Sequence, residues 1–186
     1  MPPRRRQRDN RLCPGSDDVI PMDRQINEHI RVLDIGADTG YIADVIRASF
    51  ATVARRFDLT PSNCPAHPAF LETDKLAQMQ QKGAQFLGLT TEGRLAGLVA
   101  VKIRDQMCHI EKLAVLPECR HRGFGKTLME AAEDYARERG CEKASIGIID
   151  ENKILKDWYI GMGFGVAEIK EFAHLPFRVC FMDKLL

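Results

Sequence analysis

The chain has 186 residues, 45% of them hydrophobic, and 27 Lys and Arg against 26 Asp and Glu give a formal net charge of +1. That length supports one ordinary domain with its own core, and no apolar run is long enough to span a bilayer, so no membrane partner is expected. No apolar segment follows the Arg-rich start as a secretory signal would require. The six cysteines are scattered without a Cys-x-x-Cys pair, which fits reduced thiols in a cytoplasmic protein.

Arg4, Arg5, Arg6, Arg8 and Arg11 stand against Asp9 at the start. With these set aside, 22 of the 27 bases and 25 of the 26 acids remain, so a basic arm precedes a mildly acidic body. Pro2, Pro3, Pro14 and Gly15 favour a disordered tail over residues 1–25, and nucleic-acid binding by so short an arm is not expected. Residues 26–186 are expected to form the domain. Cys64 with His67, and Cys119 with His121, are isolated pairs without further ligands, so no metal site is expected.

In chain order, Ile30 to Ile35 reads as a strand. Asp38 or Thr39 is expected to cap a helix from Tyr41 to Phe57, whose apolar positions Ile42, Val45, Ile46, Phe50 and Val53 recur at helical spacing. Pro61, Pro65 and Pro68 make residues 59–70 irregular. Leu71 to Gln81 reads as a second helix, with Gly83 just past its end. Phe86 to Thr90 and Leu95 to Arg104 form a hairpin, and a second turn at Asp105-Gln106 leads into a strand from Met107 to Leu116. A helix over Thr127 to Arg139, a strand over Ala144 to Ile149 and a helix over Lys153 to Met162 follow. Val166 to Phe172 and Arg178 to Leu185 close the chain as strands. The pattern predicts an α/β fold of α+β type: one mixed, mostly antiparallel sheet of six to seven strands with helices on both faces.

The most informative segment is Arg120-His121-Arg122-Gly123-Phe124-Gly125-Lys126. It joins a strand to a helix through a basic, glycine-bearing turn. Free N–H groups and the helix dipole favour an anion there, and Gly123 and Gly125 permit close backbone approach. The charge of Arg120, Arg122 and Lys126 suits a diphosphate. The spacing is neither that of a P-loop nor that of a dinucleotide fingerprint.

From Ile110 to Phe164 the chain resembles the GNAT superfamily of acyl-CoA N-acyltransferases. Residues 120–125 match its [RQ]-x-x-G-x-[GA] signature, and Asn152, Tyr159 and Gly163-Phe164 match its second block. The resemblance implies the GNAT fold and acetyl-CoA as co-substrate. It implies an acetyltransferase acting by direct attack in a ternary complex with a small-molecule or peptide amine. A strand that splays from its neighbour would pair with the pantetheine arm through Leu113, Ala114 and Val115. The diphosphate would sit at Arg120, His121, Arg122, Gly123, Phe124, Gly125 and Lys126, with Asn152 and Tyr159 also against the cofactor. Tyr159 matches the general acid of the family. Glu111 is the chosen base, directly or through water, because Gly147 stands where some relatives carry a glutamate. The resemblance implies that the segment around Cys64 and His67 and the turn His174-Leu175-Pro176-Phe177 border the acceptor pocket, with His67, His174 or Arg178 as candidates to touch a substrate.

A non-catalytic acyl-CoA-binding regulatory module is the alternative, and a homodimer is left open. The run Val32-Leu33-Asp34-Ile35-Gly36-Ala37-Asp38-Thr39-Gly40 looks like the cofactor loop of a SAM-dependent methyltransferase, a weaker reading because Asp38 replaces a glycine.

Overall fold

A computed structural model describes residues 29–186, and the expected tail over residues 1–25 lies outside them. The described residues form a mixed α/β structure with one seven-stranded sheet. Strand β1 (His29–Val32) leads into helix α1 (Ile35–Arg56), and α2 (Thr73–Gln81) follows. Then come β2 (Ala84–Thr91), β3 (Arg94–Arg104), β4 (Met107–Val115), α3 (Phe124–Arg137) and β5 (Lys143–Ile149). Helix α4 (Lys153–Gly161), β6 (Gly165–Lys170) and β7 (Val179–Leu185) complete the order. The strands lie β1-β2-β3-β4-β5-β7-β6, so the last strand inserts beside β5 and leaves β6 at the edge. Only the β4–β5 contact is parallel.

Alternation along β3 and β4 builds two cores. Val99, Val101, Cys108 and Ile110 face α3 and α4, whereas Leu98, Ala100 and Ala114 face α1 and α2. This period-2 division is why β3 is nearly all apolar: it is covered on both sides. A third cluster joins Ala54 of α1 to Leu59, Cys64 and Ile149 of β5, with Leu175 and Phe177 packed on it. That cluster carries the end of α1 across the sheet from β4 towards β5.

Several boundaries differ from the sequence expectation, and those that start α1 and α3 bear on the site. The first strand stops at Val32, and Asp34, not Asp38 or Thr39, caps α1, its carboxylate accepting from the Gly36 N–H at 2.9 Å. Asp38 instead breaks the helix at φ −129°, ψ 27°, so the regular turns do begin near the position expected. Helix α3 starts three residues earlier than the apolar period suggests, at Phe124, because Gly123 takes the left-handed conformation (φ 87°) that starts it.

Tight turns place the strands. Glu92 and Gly93 both have positive φ, as do Asp105 and Gln106, the combination that suits a two-residue hairpin. Between β3 and β4 the register slips: Leu98 pairs with Ala114 but Ala100 pairs with Glu111. The extra residue in β4 is a bulge, and Lys112 there has φ 52°. Beyond Met107, Cys108 and His109, β4 no longer pairs with β5. The sheet is therefore split along more than half of that seam.

Candidate active site

The split opens a cavity of about 940 Å³ that reaches both faces of the sheet. Its walls are β4, β5, the first turn of α3, helix α4, the C-terminal half of α1, β7 and the loop before it.

At one end lies the turn over residues 120–126. Here Lys126 N–H and Thr127 N–H both bond to the Gly123 carbonyl, at 2.9 and 3.1 Å. The five preceding amides, residues 121–125, bond to no described residue. His121 at φ 61° and Gly123 at φ 87° are left-handed, so successive N–H groups curl around one space. Together with the N-terminal dipole of α3, this geometry suits an anion. Gly125 faces Trp158: a Cβ placed there would lie 3.5 Å from the indole, in ordinary contact. Phe124 is buried in the core, so it can offer a ligand only its backbone.

The basic side chains of this turn divide. Arg120 is turned into the protein. Its Nε donates to the Val115 carbonyl at 3.2 Å, and its terminal nitrogens donate to Thr52 Oγ1 at 3.0 Å and the Ser49 carbonyl at 2.7 Å. It clamps the end of β4 to α1. Arg122 lies 4.8 Å from the Phe124 ring centre and outside the cavity lining. Lys126 is largely exposed, 3.7 Å from Glu130. His121 is exposed and lines the cavity.

Along the strand, Leu113 and Val115 line the cavity, while Ala114 points into the opposite core and presents only its backbone. The expected splay is present, since β4 and β5 pair over three residues only. Asn152 starts α4 and is buried, with its Oδ1 accepting from Arg56 at 3.4 Å.

Tyr159 sits on α4 with its ring packed edge-on against Trp158 and Phe164, centroids 4.8 and 5.6 Å away. Its hydroxyl makes no hydrogen bond to a described residue, and the side chain lines the cavity. Burial pushes the hydroxyl above the usual phenol range, so it stays protonated at neutral pH.

On the other side of the sheet stands Glu111, exposed, with Lys112 Nζ 4.0 Å from its carboxylate. Gly147 and Ser145 form the floor, and Phe181, the direct partner of Gly147, forms a wall. His67 closes the roof. It is buried, its Nδ1 accepts from the Ala69 N–H at 3.3 Å, and it packs edge-on against Phe50. Desolvation, and then the charge of Lys112, lower its pKa to about 4, so it is neutral with its proton on Nε2.

Arg178 is occupied by Asp150 at 2.6 Å and Glu151 at 3.4 Å. Asp150 also pairs with Lys156, a hydrogen bond that holds its carboxyl below the usual range. His174 lies in the loop beside Phe172 and outside the cavity lining. Cys64 and His67 are joined only through backbone, His67 N–H to the Cys64 carbonyl at 3.0 Å. The clamp from Arg120 to α1 and the approach of Arg56 to Asn152 were not legible in the sequence, because 68 and 96 residues separate the partners and no local pattern marks them.

Residues 53–164 match the sequence model of the Acetyltransferase (GNAT) family. Streptothricin acetyltransferase of Streptomyces lavendulae is 36% identical over 81 residues, 42% of this chain and 43% of that protein. Spermidine N(1)-acetyltransferase of Thermoplasma acidophilum is 28% identical over 83 residues, 45% of this chain and 52% of that protein. The chain thus spans about half the length of these curated relatives. Among solved structures, the PaiA N-acetyltransferase of Thermoplasma acidophilum in complex with coenzyme A superposes with a TM-score of 0.67 at 21% identity. That match covers 87% of this chain and all of the other and concerns the fold alone.

Proposed function

The chain belongs to the GNAT acetyltransferase family, and from that premise we propose that it transfers an acetyl group from acetyl-CoA to a primary amine by direct attack in a ternary complex. The observation that carries this reading is the run of five amides at residues 121–125 that bond to no described residue, at one end of a cavity that crosses the split sheet. The diphosphate of the cofactor would lie on those amides, assisted by Lys126 and His121. The pantetheine amides would pair with the free edge of β4 at Leu113 to Val115, beside Asn152, as an added strand does. That brings the thioester to the middle of the seam, between Tyr159 on one face and Glu111 on the other.

The proton balance then closes. An amine with a reference pKa of about 10.4 enters as an ammonium. It gives one proton to Glu111, directly or through water, and its nitrogen attacks the thioester carbonyl. A main-chain N–H near the bulge in β4 stabilises the oxyanion. As the carbon–sulfur bond breaks, the Tyr159 hydroxyl gives its proton to the departing thiolate and is reprotonated by the second nitrogen proton. The products are the amide, the free thiol of coenzyme A and one released proton.

A screen of amines with acetyl-CoA, read by free-thiol release, tests the reading. Acceptor-dependent release supports it. Acetyl-CoA binding without release for any amine would leave the alternative of a non-catalytic acyl-CoA-binding module.

A further inference from the structure

Resting on that reading, we infer that the acceptor is a zwitterionic α-amino acid with an aromatic or branched apolar side chain. On the acceptor face of the seam the ionic groups come as a pair. Glu111 and Lys112 are neighbours in the bulge, 4.0 Å apart. An α-amino acid carries its ammonium and its carboxylate two bonds apart, a spacing that can lay one group on each member of such a pair. The amine would meet Glu111, the group that must take its proton, and the carboxylate would meet Lys112.

Arg56 adds to this. It lines the same cavity, is exposed, and among the described residues makes a single long bond, 3.4 Å, to Asn152 Oδ1. Among the described residues that line the cavity, Glu111 is the only carboxylate, against Arg56, Lys112, Arg120 and Lys126. A polycation such as spermidine would find one carboxylate already matched by an ammonium, and repulsion from the rest.

The remaining walls are apolar. Phe50, Phe177, Val179 and Phe181 line this face, and His67 is held neutral among them. Gly147 leaves the floor beside Phe181 without a side chain; a Cβ there would lie 3.5 Å from that ring. This is room for an apolar side chain against an aromatic wall. A site with aromatic walls and one matched ionic pair discriminates against the decarboxylated amine, whose ammonium competes with Lys112 for Glu111 and brings no carboxylate in exchange.

The test compares phenylalanine, leucine, phenethylamine and spermidine as acceptors for the full chain, by thiol release, with the acetyl-CoA melting shift recorded in parallel. The inference expects kcat/KM for phenylalanine or leucine at least tenfold above that for phenethylamine and spermidine. It further expects Lys112→Gln to remove the preference for phenylalanine over phenethylamine through KM. Lys112→Glu should favour phenethylamine, a gain that mere misfolding would not give. Equal or faster turnover of phenethylamine or spermidine by the native chain overturns the inference. So does a cofactor-induced melting shift without turnover of either amino acid. No melting shift and no turnover with any amine overturns the transferase reading itself.

Discussion

Tyr159 shows how the sequence and the fold divide the work at the scale of one residue. Its place in the second GNAT block marked it, but only packing shows a ring fixed by Trp158 and Phe164 and a hydroxyl without a described partner. Tyr159→Phe should lower kcat by roughly 10²-fold, the usual worth of a positioned proton donor, while the acetyl-CoA melting shift stays unchanged. Turnover equal to the native chain would remove this hydroxyl from the chemistry. His67 carried no catalytic signature, and its neutral state comes from burial that no local pattern announces. Its folded pKa of about 4 lies below the reference of about 6.5, so the unfolded chain binds the extra proton. Stability contributed by neutral His67 is therefore full above about pH 6.5 and is lost as pH falls towards 4. His67→Asn keeps a cap acceptor for Ala69 and should flatten that limb of a melting-temperature profile; an unchanged acid limb would show that other groups set it. Arg120 carries a different lesson. Its charge and position in the turn suggested the diphosphate, yet its nitrogens hold Val115, Thr52 and Ser49.

At the scale of elements, the hydrophobic period located the helices and most strands, and it erred where caps decide. Asp34 and Gly123 start their helices through one side-chain bond and one left-handed backbone, features that periodicity does not register. The bulge in β4 was likewise invisible, since an extra residue leaves no compositional trace. Gly97 shows how tightly that region is built. A Cβ there would lie 2.6 Å from the Ala114 carbonyl oxygen and 3.1 Å from Leu128 Cδ1. Gly97→Ala should push β3 from β4 and cost about 1–3 kcal/mol, read as a lower denaturation midpoint at unchanged slope. A stability equal to the native chain would mean that the seam yields more readily than its contacts imply. Gly125 differs, because only Trp158 lies near its Cβ position. Gly125→Val should fold with little loss yet abolish the acetyl-CoA melting shift by blocking approach to the amides of the turn. Retained binding would place the phosphates elsewhere.

For the whole molecule, the mixed sheet with helices on both faces followed from the order of elements, and its seven strands fall at the upper bound expected. The insertion of β7 between β5 and β6 did not follow, because the order of strands in a sheet depends on pairing across the chain and not on the sequence of elements. Saturating acetyl-CoA, at about 100 times its dissociation constant, should stabilise the folded state by about 2.7 kcal/mol. For a domain of this size that is a rise in melting temperature of roughly 5–10 °C. No rise at millimolar ligand would count against the cofactor site.

Among the described residues, the three residue pairs that join β4 to β5 are the whole strand pairing between a four-stranded block and a three-stranded one. Along the rest of that line the backbone polar groups have no neighbouring strand to satisfy them. An amide-bearing guest laid there would act as mortar between two bricks. Deuterium uptake should consequently slow on both banks of the gap when the thioester carrier is present, including at β5 amides remote from its phosphates. The co-substrate would in this way serve as a temporary eighth member of the sheet, knitting the two blocks for the duration of a turnover and releasing them with the product.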